Sequence, residues 1–393
     1  MGTLASYAPG RTRACGAAPL IAVLGVLLLA WVPHAATATT MPQPEGVFAS
    51  SEDVPDLMFP EGLTSWGDKV YVATFNVAAP TRSRIFVFST SGRLIRTLGG
   101  VPGEELISAG PLLGLTIDPR TGDLYAAANS TQQVLRIRKP STGQPQVSVY
   151  AQLPAGTGPE GLSFNAQGVL YVTDSNLGQV FAVPPGGSGA TLVIGPDGSG
   201  APIDSAGLFD SPIPGLAPNA NGIVFSQDYR TMFIANLYAD RIVAFRVNRN
   251  GEVTGKGRIF AQQRNPDLQL YPVNFEPLIE ADTQIGPSAG AGINGPDGLA
   301  LDSDGNIWAA AVLGDDLVVI DPESSDVIRT VGSSAATQDG LLNNPASMTF
   351  VGESVYVTNL GFFSDGTHGN PLLPWTVARL DAGVTGAGGN GNH

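Results

Sequence analysis

The sequence predicts an all-β fold, a six-bladed β-propeller of four-stranded antiparallel blades with its ring closed by an N-terminal strand. Three observations predict it. One form recurs six times: a proline-rich approach, in most copies an acidic or amide residue followed by glycine, an apolar residue, a short turn, and an aromatic residue that opens a β-rich stretch. Each copy continues into runs of period-two alternation separated by tight turns, the pattern of antiparallel meanders. No helix-period segment competes beyond the first forty residues.

The copies are, in order, Pro60-Glu61-Gly62-Leu63 leading to Tyr71, Leu113-Gly114-Leu115 to Tyr125, Pro159-Glu160-Gly161-Leu162 to Tyr171, Asn221-Gly222-Ile223 to Phe233, Pro296-Asp297-Gly298-Leu299 to Trp308, and Ala346-Ser347-Met348 to Tyr356. From the glycine position to the aromatic residue the spacing is 9 to 11 residues, whereas consecutive copies lie 47 to 76 residues apart. The unit is therefore fixed and its connections vary. Third strands follow at 84–88, 241–245 and 316–320, and a fourth at 93–98. Asp118–Asp123 and Asp302–Asn306 read as hairpin turns; the second resembles the opening of an EF-hand but lacks its closing Glu and misplaces its Gly. Six meanders set radially bury their faces on one another and leave only short edges. The sixth copy runs out after 375–380, because the chain from Asp381 is glycine-rich, so Gly46–Ser50 is expected to supply its outer strand. The expected organisation is a signal peptide over 1–38, the propeller over 39–382 and a Gly-rich flexible tail over 383–393.

Composition narrows the function classes. The 393 residues hold 50 Gly and 31 Pro, 43% are hydrophobic and 14% charged, which suits a turn-rich globular chain and excludes disorder. A formal net charge of −14 with no Lys/Arg cluster argues against a nucleic-acid partner. Arg11 and Arg13, an apolar run from Ala17 to Val32 and the small residues Ala36-Thr37-Ala38 read as a Sec-type leader cleaved near Ala38, for secretion or the periplasm, with no stable membrane anchor afterwards. The run is shorter than the roughly 20 residues a spanning helix needs. Cys15, the single cysteine, falls inside that leader, which excludes thiol chemistry and a disulfide scaffold in the mature chain. Asn129-Ser130-Thr131 is a glycosylation sequon, relevant only in a eukaryotic source. Oligomeric state is not encoded in any of these features.

In a propeller the innermost strands line a central tunnel, so the residue before each repeat glycine joins a six-member ring at one mouth. That ring reads Glu61, Leu113, Glu160, Asn221, Asp297, Ala346. Single Asp-Gly or Asn-Gly pairs are ordinary turn formers, but Glu has no such preference and appears twice. Three carboxylates and one amide converging on a tunnel mouth would repel one another and be costly to desolvate; a divalent cation resolves the conflict. Oxygen donors without His or Cys favour Ca²⁺ or Mg²⁺ over zinc, and an irregular ring suits Ca²⁺.

The stretches 221–245 and 296–308 resemble the regucalcin and gluconolactonase family (senescence marker protein, lactonase-like) of six-bladed propellers, and more distantly the paraoxonases, diisopropyl fluorophosphatase and the strictosidine synthases. The likeness is strongest over about 218–332, and the repeat extends it across roughly 46–382. The resemblance implies one catalytic divalent cation, commonly Ca²⁺, held at the tunnel mouth by a Glu of blade one, Asn residues of blades three and four and an Asp of blade five. Those places fall on Glu61, Glu160, Asn221 and Asp297, with Glu160 departing from the family's Asn. It further implies hydrolysis of a small-molecule lactone or ester, with Asp297 as ligand and as general base or nucleophile. The strictosidine synthases lack this ring, which makes a condensing enzyme the weaker alternative; a non-enzymatic propeller with a structural ion is the other.

His368, in the loop after the second strand of blade six, is a candidate accessory base, although an exposed loop histidine is the commoner fate; His393 is terminal. Of the histidines only His368 and His393 lie beyond the leader, which argues against a serine hydrolase. Ends of second strands carry Asn76, Asn129, Asp174, Asn236 and Asn359, a polar tier around the same mouth whose members are candidate substrate contacts, Asn236 foremost. The long connections 195–220 and 261–295, the second with Tyr271, Phe275 and Leu278, are expected to form a canopy shaping an apolar pocket.

Overall fold

The structure is a computed structural model that describes residues 45–76, 83–99, 110–187, 189–212, 218–262, 293–332, 341–361 and 374–388. β1 (Gly46–Ser50) precedes six meanders. Blade one is β2 (Pro60–Trp66), β3 (Lys69–Thr74), β4 (Ile85–Ser89) and β5 (Leu94–Leu98). Blade two is β6 (Leu112–Ile117), β7 (Leu124–Ala128), β8 (Gln133–Arg138) and β9 (Gln146–Gln152). Blade three adds β10 (Pro159–Phe164), β11 (Leu170–Asp174), β12 (Gln179–Val183), β13 (Thr191–Gly195) and a short fifth strand, β14 (Ile203–Asp204), parallel to β13. Blade four is β15 (Ile223–Phe225), β16 (Thr231–Asn236), β17 (Arg241–Val247) and β18 (Val253–Gln262). Blade five is β19 (Pro296–Leu301), β20 (Ile307–Ala311), β21 (Asp316–Ile320) and β22 (Val327–Val331). Blade six has the order β1-β25-β24-β23, from β23 (Pro345–Val351), β24 (Ser354–Asn359) and β25 (Thr376–Asp381).

The ring therefore closes as the sequence requires. β1 runs antiparallel to β25, with Gly46 opposite Arg379 and Ser50 opposite Thr376. Its Phe48 meets Tyr356 edge-on at 4.7 Å and Phe88 at 5.7 Å, so the closing strand also ties blade six to blade one. Each repeat aromatic (Tyr71, Tyr125, Tyr171, Phe233, Trp308, Tyr356) is buried and fills the space between blades. The core is a set of such wedges, as where Tyr71, Ile85 and Val87 of blade one pack on Leu115, Leu124 and Leu135 of blade two.

Two local features bring the inner strands together. In blades one, two, three, five and six the register shifts at the repeat pair, so that two residues of the inner strand face one of its neighbour; Glu61 and Gly62, for instance, lie between the pairs Pro60↔Thr74 and Leu63↔Val72. Such a bulge turns a side chain out of the pleat. The repeat glycine then lets the next blade approach. A Cβ on Gly62 would lie 2.1 Å from the Leu113 carbonyl oxygen, on Gly114 2.3 Å from that of Glu160, on Gly161 2.7 Å from that of Asn221, on Gly222 2.2 Å from that of Asp297, and on Gly298 2.7 Å from that of Ala346. None of these glycines needs a left-handed backbone; they are glycines because of the close approach. The sixth place holds Ser347, and there the Thr358 hydroxyl donates to the Glu61 carbonyl at 2.6 Å across the seam.

The Asp302–Asn306 hairpin is capped by Asp302, whose carboxylate accepts the backbone N–H of Asp304 and Asn306 and the Trp308 indole N–H at 2.9 Å. Within the segment expected to form a flexible tail, Ser303 N donates to Thr385 O and Ala387 N to Leu301 O, and Ala387 is buried against blades four and five. Of the connection 195–220, residues 195–212 begin beside blade three, where Ile203–Asp204 pairs with β13, and 213–217 lie outside the described residues. Its Leu208 and Phe209 enter the core beside blade four, with Phe209 stacked on Phe245 at 6.1 Å. Tyr271, Phe275 and Leu278 of the second connection lie outside the described residues.

The glycine geometry predicts that Gly114→Ala and Gly222→Ala each lower unfolding stability by about 2–3 kcal/mol, as overpacking against fixed backbone does. Gly388→Ala, where a Cβ meets nothing within 4 Å, leaves it unchanged. Chemical denaturation of the three variants checks this.

Candidate metal centre

The bulges aim the ring side chains at one point. Glu61, Glu160 and Asp297 each stand second in their inner strands, and Asn221 stands two residues before β15. All four are buried, at 5–8% exposure. Each of the three acids offers a carboxylate oxygen, and these oxygens all lie within 4.8 Å of one another. Together with Asn221 they line a cavity of about 40 Å³ with apolar Leu115, Leu162, Ile223 and Leu299, the last four repeat glycines and Ser347. That volume admits a few water-sized particles. No Lys, Arg or His is among the described lining residues. The two remaining ring positions, Leu113 and Ala346, are buried and apolar and offer no side-chain donor.

Burial without a counter-charge shows in the proton affinities. The Glu61 carboxyl is pushed well above its ordinary range by desolvation and then by the charges of Glu160 and Asp297. Asp297 is raised likewise by desolvation and Glu160, against which an Asn221 side-chain hydrogen bond works. Glu160 is pushed up to about 8 by desolvation, despite a hydrogen bond with Ser175, and with the Asp174 charge behind it. One oxygen of Glu61, Oε2, is buried with no hydrogen-bond partner. A lone acid in this position would be costly, and three are costlier.

These residues fit a hard cation. Oxygens bound to one Ca²⁺ ion lie at most about 5 Å apart, given bond lengths of roughly 2.3–2.6 Å, and the three carboxylates fall within that span. Glu61, Glu160, Asn221 and Asp297 would hold it, the donor set being all oxygen.

Other residues around the mouth serve the scaffold. Asp174 accepts Gly158 N–H at 2.8 Å and Asn176 N–H at 3.0 Å, and its Oδ2 is buried without a partner. Asn359 accepts Asn343 N–H and donates to Leu341 O and Thr376 Oγ1, so its amide anchors the connection that leads into blade six. Asn236 donates to Leu208 O and Asp210 O, anchoring the connection into blade four, while its Oδ1 is buried without a partner. Asn129 donates to Pro159 O at 3.4 Å, and the Asn76 amide lies 3.7 Å from the Met58 sulfur. His368 lies outside the described residues. Two residues at the site escaped sequence reasoning: Ser175, which holds Glu160, and Tyr238, whose phenol is raised by burial and then by the charges of Glu160 and Asp297. Both follow second-strand ends that had been marked, one residue after Asp174 and two after Asn236. Extending that reading by a turn would have found them.

Fold and site together define a six-bladed propeller with a buried pocket lined by three carboxylates and an amide. Over residues 59–359 the chain matches the family described as SMP-30/Gluconolactonase/LRE-like region, and it belongs to that family. No curated protein matches it in sequence. Among solved structures it is similar to a luciferin-regenerating enzyme, with a TM-score of 0.56 and 14% identity over 83% of this chain and 92% of the other. It is similar to a putative gluconolactonase with a TM-score of 0.56 and 14% identity over 88% and 94% of the two chains. Regucalcin of Agrobacterium tumefaciens, described as a calcium-binding protein, gives 0.55 and 15% identity over 84% and 92%. At these identities the likeness is one of fold.

The raised carboxyls set the sign of a pH effect. With the cluster free of metal, the folded state holds protons that the unfolded chain has already released above about pH 4.3, so stability falls as pH rises from there to about 8. Melting in excess chelator is expected to show that decline between pH 5 and 8.5. Added Ca²⁺ should flatten it, because the ion replaces the protons.

Proposed function

We propose that this protein is an exported, Ca²⁺-dependent hydrolase of lactones or related esters, working at the tunnel mouth. The observation that carries the proposal is the convergence of three buried carboxylates around one small cavity with no cationic side chain among its described lining residues. Membership of the family and likeness in fold to a putative gluconolactonase and to a calcium-binding regucalcin support it. Export rests on the leader at 1–38.

When bound, Ca²⁺ supplies a Lewis acid for the acyl oxygen and favours ionisation of a nearby water. The chain does the rest. Glu61 and Glu160 hold the ion, the second kept in place by Ser175. Asn221 steadies Asp297 through a side-chain hydrogen bond, and Asp297 takes the proton of the attacking water on a carboxylate oxygen. The apolar lining of Leu115, Leu162, Ile223 and Leu299 keeps bulk water from the carboxylates. His368 is an accessory base in this reading, receiving that proton or orienting substrate.

The test is hydrolysis of a panel of lactones and aryl esters by the mature protein, in excess chelator and then with Ca²⁺ restored, beside metal analysis of the untreated sample. Activity is expected to vanish and return. Asp297→Asn should lower turnover by about 10²–10⁴-fold, the range typical of losing a proton-transfer group, and melt normally in chelator. A bound ion with no turnover on the panel would replace the hydrolase reading with a binding propeller whose ion is structural.

A further inference from the structure

We propose that Glu160 gives the tunnel mouth a charge suited to a trivalent cation of about calcium's size, so that a lanthanide-class ion is favoured over Ca²⁺ by a margin this one carboxylate creates. The inference rests on the ion-binding part of the reading above and not on the hydrolysis. Four observations lead to it. Glu160 does not swing out to solvent: it is 8% exposed, and its carboxylate lies within 4.8 Å of those of both Glu61 and Asp297. A side-chain hydrogen bond with Ser175 favours its charged form, and the Asp174 carboxylate adds a further like charge. Oε2 of Glu61 is buried and unpartnered in the same cluster. Among the described residues no Lys, Arg or His lines the cavity.

The charge arithmetic then decides. Metal binding takes the carboxylates in their ionised form. Three of them leave a divalent ion with one uncompensated negative charge in a buried pocket, whereas a trivalent ion balances them. Oxygen-only donors suit hard cations of either charge, so charge and not donor type makes the distinction.

The experiment measures dissociation constants for Ca²⁺ and Tb³⁺ by calorimetry and Tb³⁺ luminescence, on the mature wild-type protein and on Glu160→Gln and Glu160→Asn. Coulomb attraction to the removed charge is half again as large for the trivalent ion, so a tenfold loss of Ca²⁺ affinity goes with about a thirtyfold loss for Tb³⁺, and a hundredfold with about a thousandfold. Both variants relieve like-charge crowding, so both should melt no lower than wild type in chelator, which controls for misfolding. Equal loss for the two ions, or no loss for either, overturns the proposal. Failure of the wild type to bind any ion sinks this inference and the metal reading together. The expected ion selectivity with no hydrolysis on the ester panel leaves this inference standing and removes only the hydrolase.

Discussion

Everything at the tunnel mouth depends on how closely one inner strand can lie against the next. At five of the six joints that distance is set by a missing methyl group, with a glycine Cα facing the carbonyl oxygen of the following ring residue. A side chain there would push the blades apart and widen the ring. Because the ring carbonyls point sideways into their neighbours, the side chains are left to face the axis. A small ring radius and inward side chains are thus one constraint, and the donors converge because of it.

The same rigidity explains how the charges stay together. Three carboxylates on flexible loops would separate until water screened them. Here each sits on a bulge in a strand hydrogen-bonded along its length, so repulsion is met by raised proton affinity, not by movement. A site that cannot relax is preorganised for whatever positive charge enters it, since little rearrangement is needed on binding. Ser175 and Asn221 add finer control by fixing the orientation of Glu160 and Asp297.

Much of this was legible in the chain, and the limits have physical reasons. The repeat exposed the blades, and the missing outer strand of the last one pointed to Gly46–Ser50, because an antiparallel meander one strand short needs a partner from elsewhere. The donor ring was legible because one position per repeat maps onto one position around the axis. What the repeat does not encode stayed hidden. Ser175 and Tyr238 lie in turns whose form differs from blade to blade. Asn236 and Asn359 looked like a polar tier facing the mouth, yet their amides secure the variable connections, and the partners of such anchors lie in segments without a repeating pattern. The connection after β13 is long and without a repeating pattern, so nothing in the repeat marked Phe209 as a core residue beside blade four.

The seam between blades six and one has a consequence for how the molecule is made. β1 pairs with β25, nearly the whole length of the chain away, and Glu61 of blade one faces Asp297 of blade five across the pocket, with blade six between them along the ring. A chain emerging from the ribosome offers Phe48 and the first donor long before it can offer their partners. Until the last blade is complete, the nascent propeller is an open arc with two bare edges and no finished pocket. A molecule truncated before β25 would lose its clasp and, with it, the closure that seats blade six against blade one.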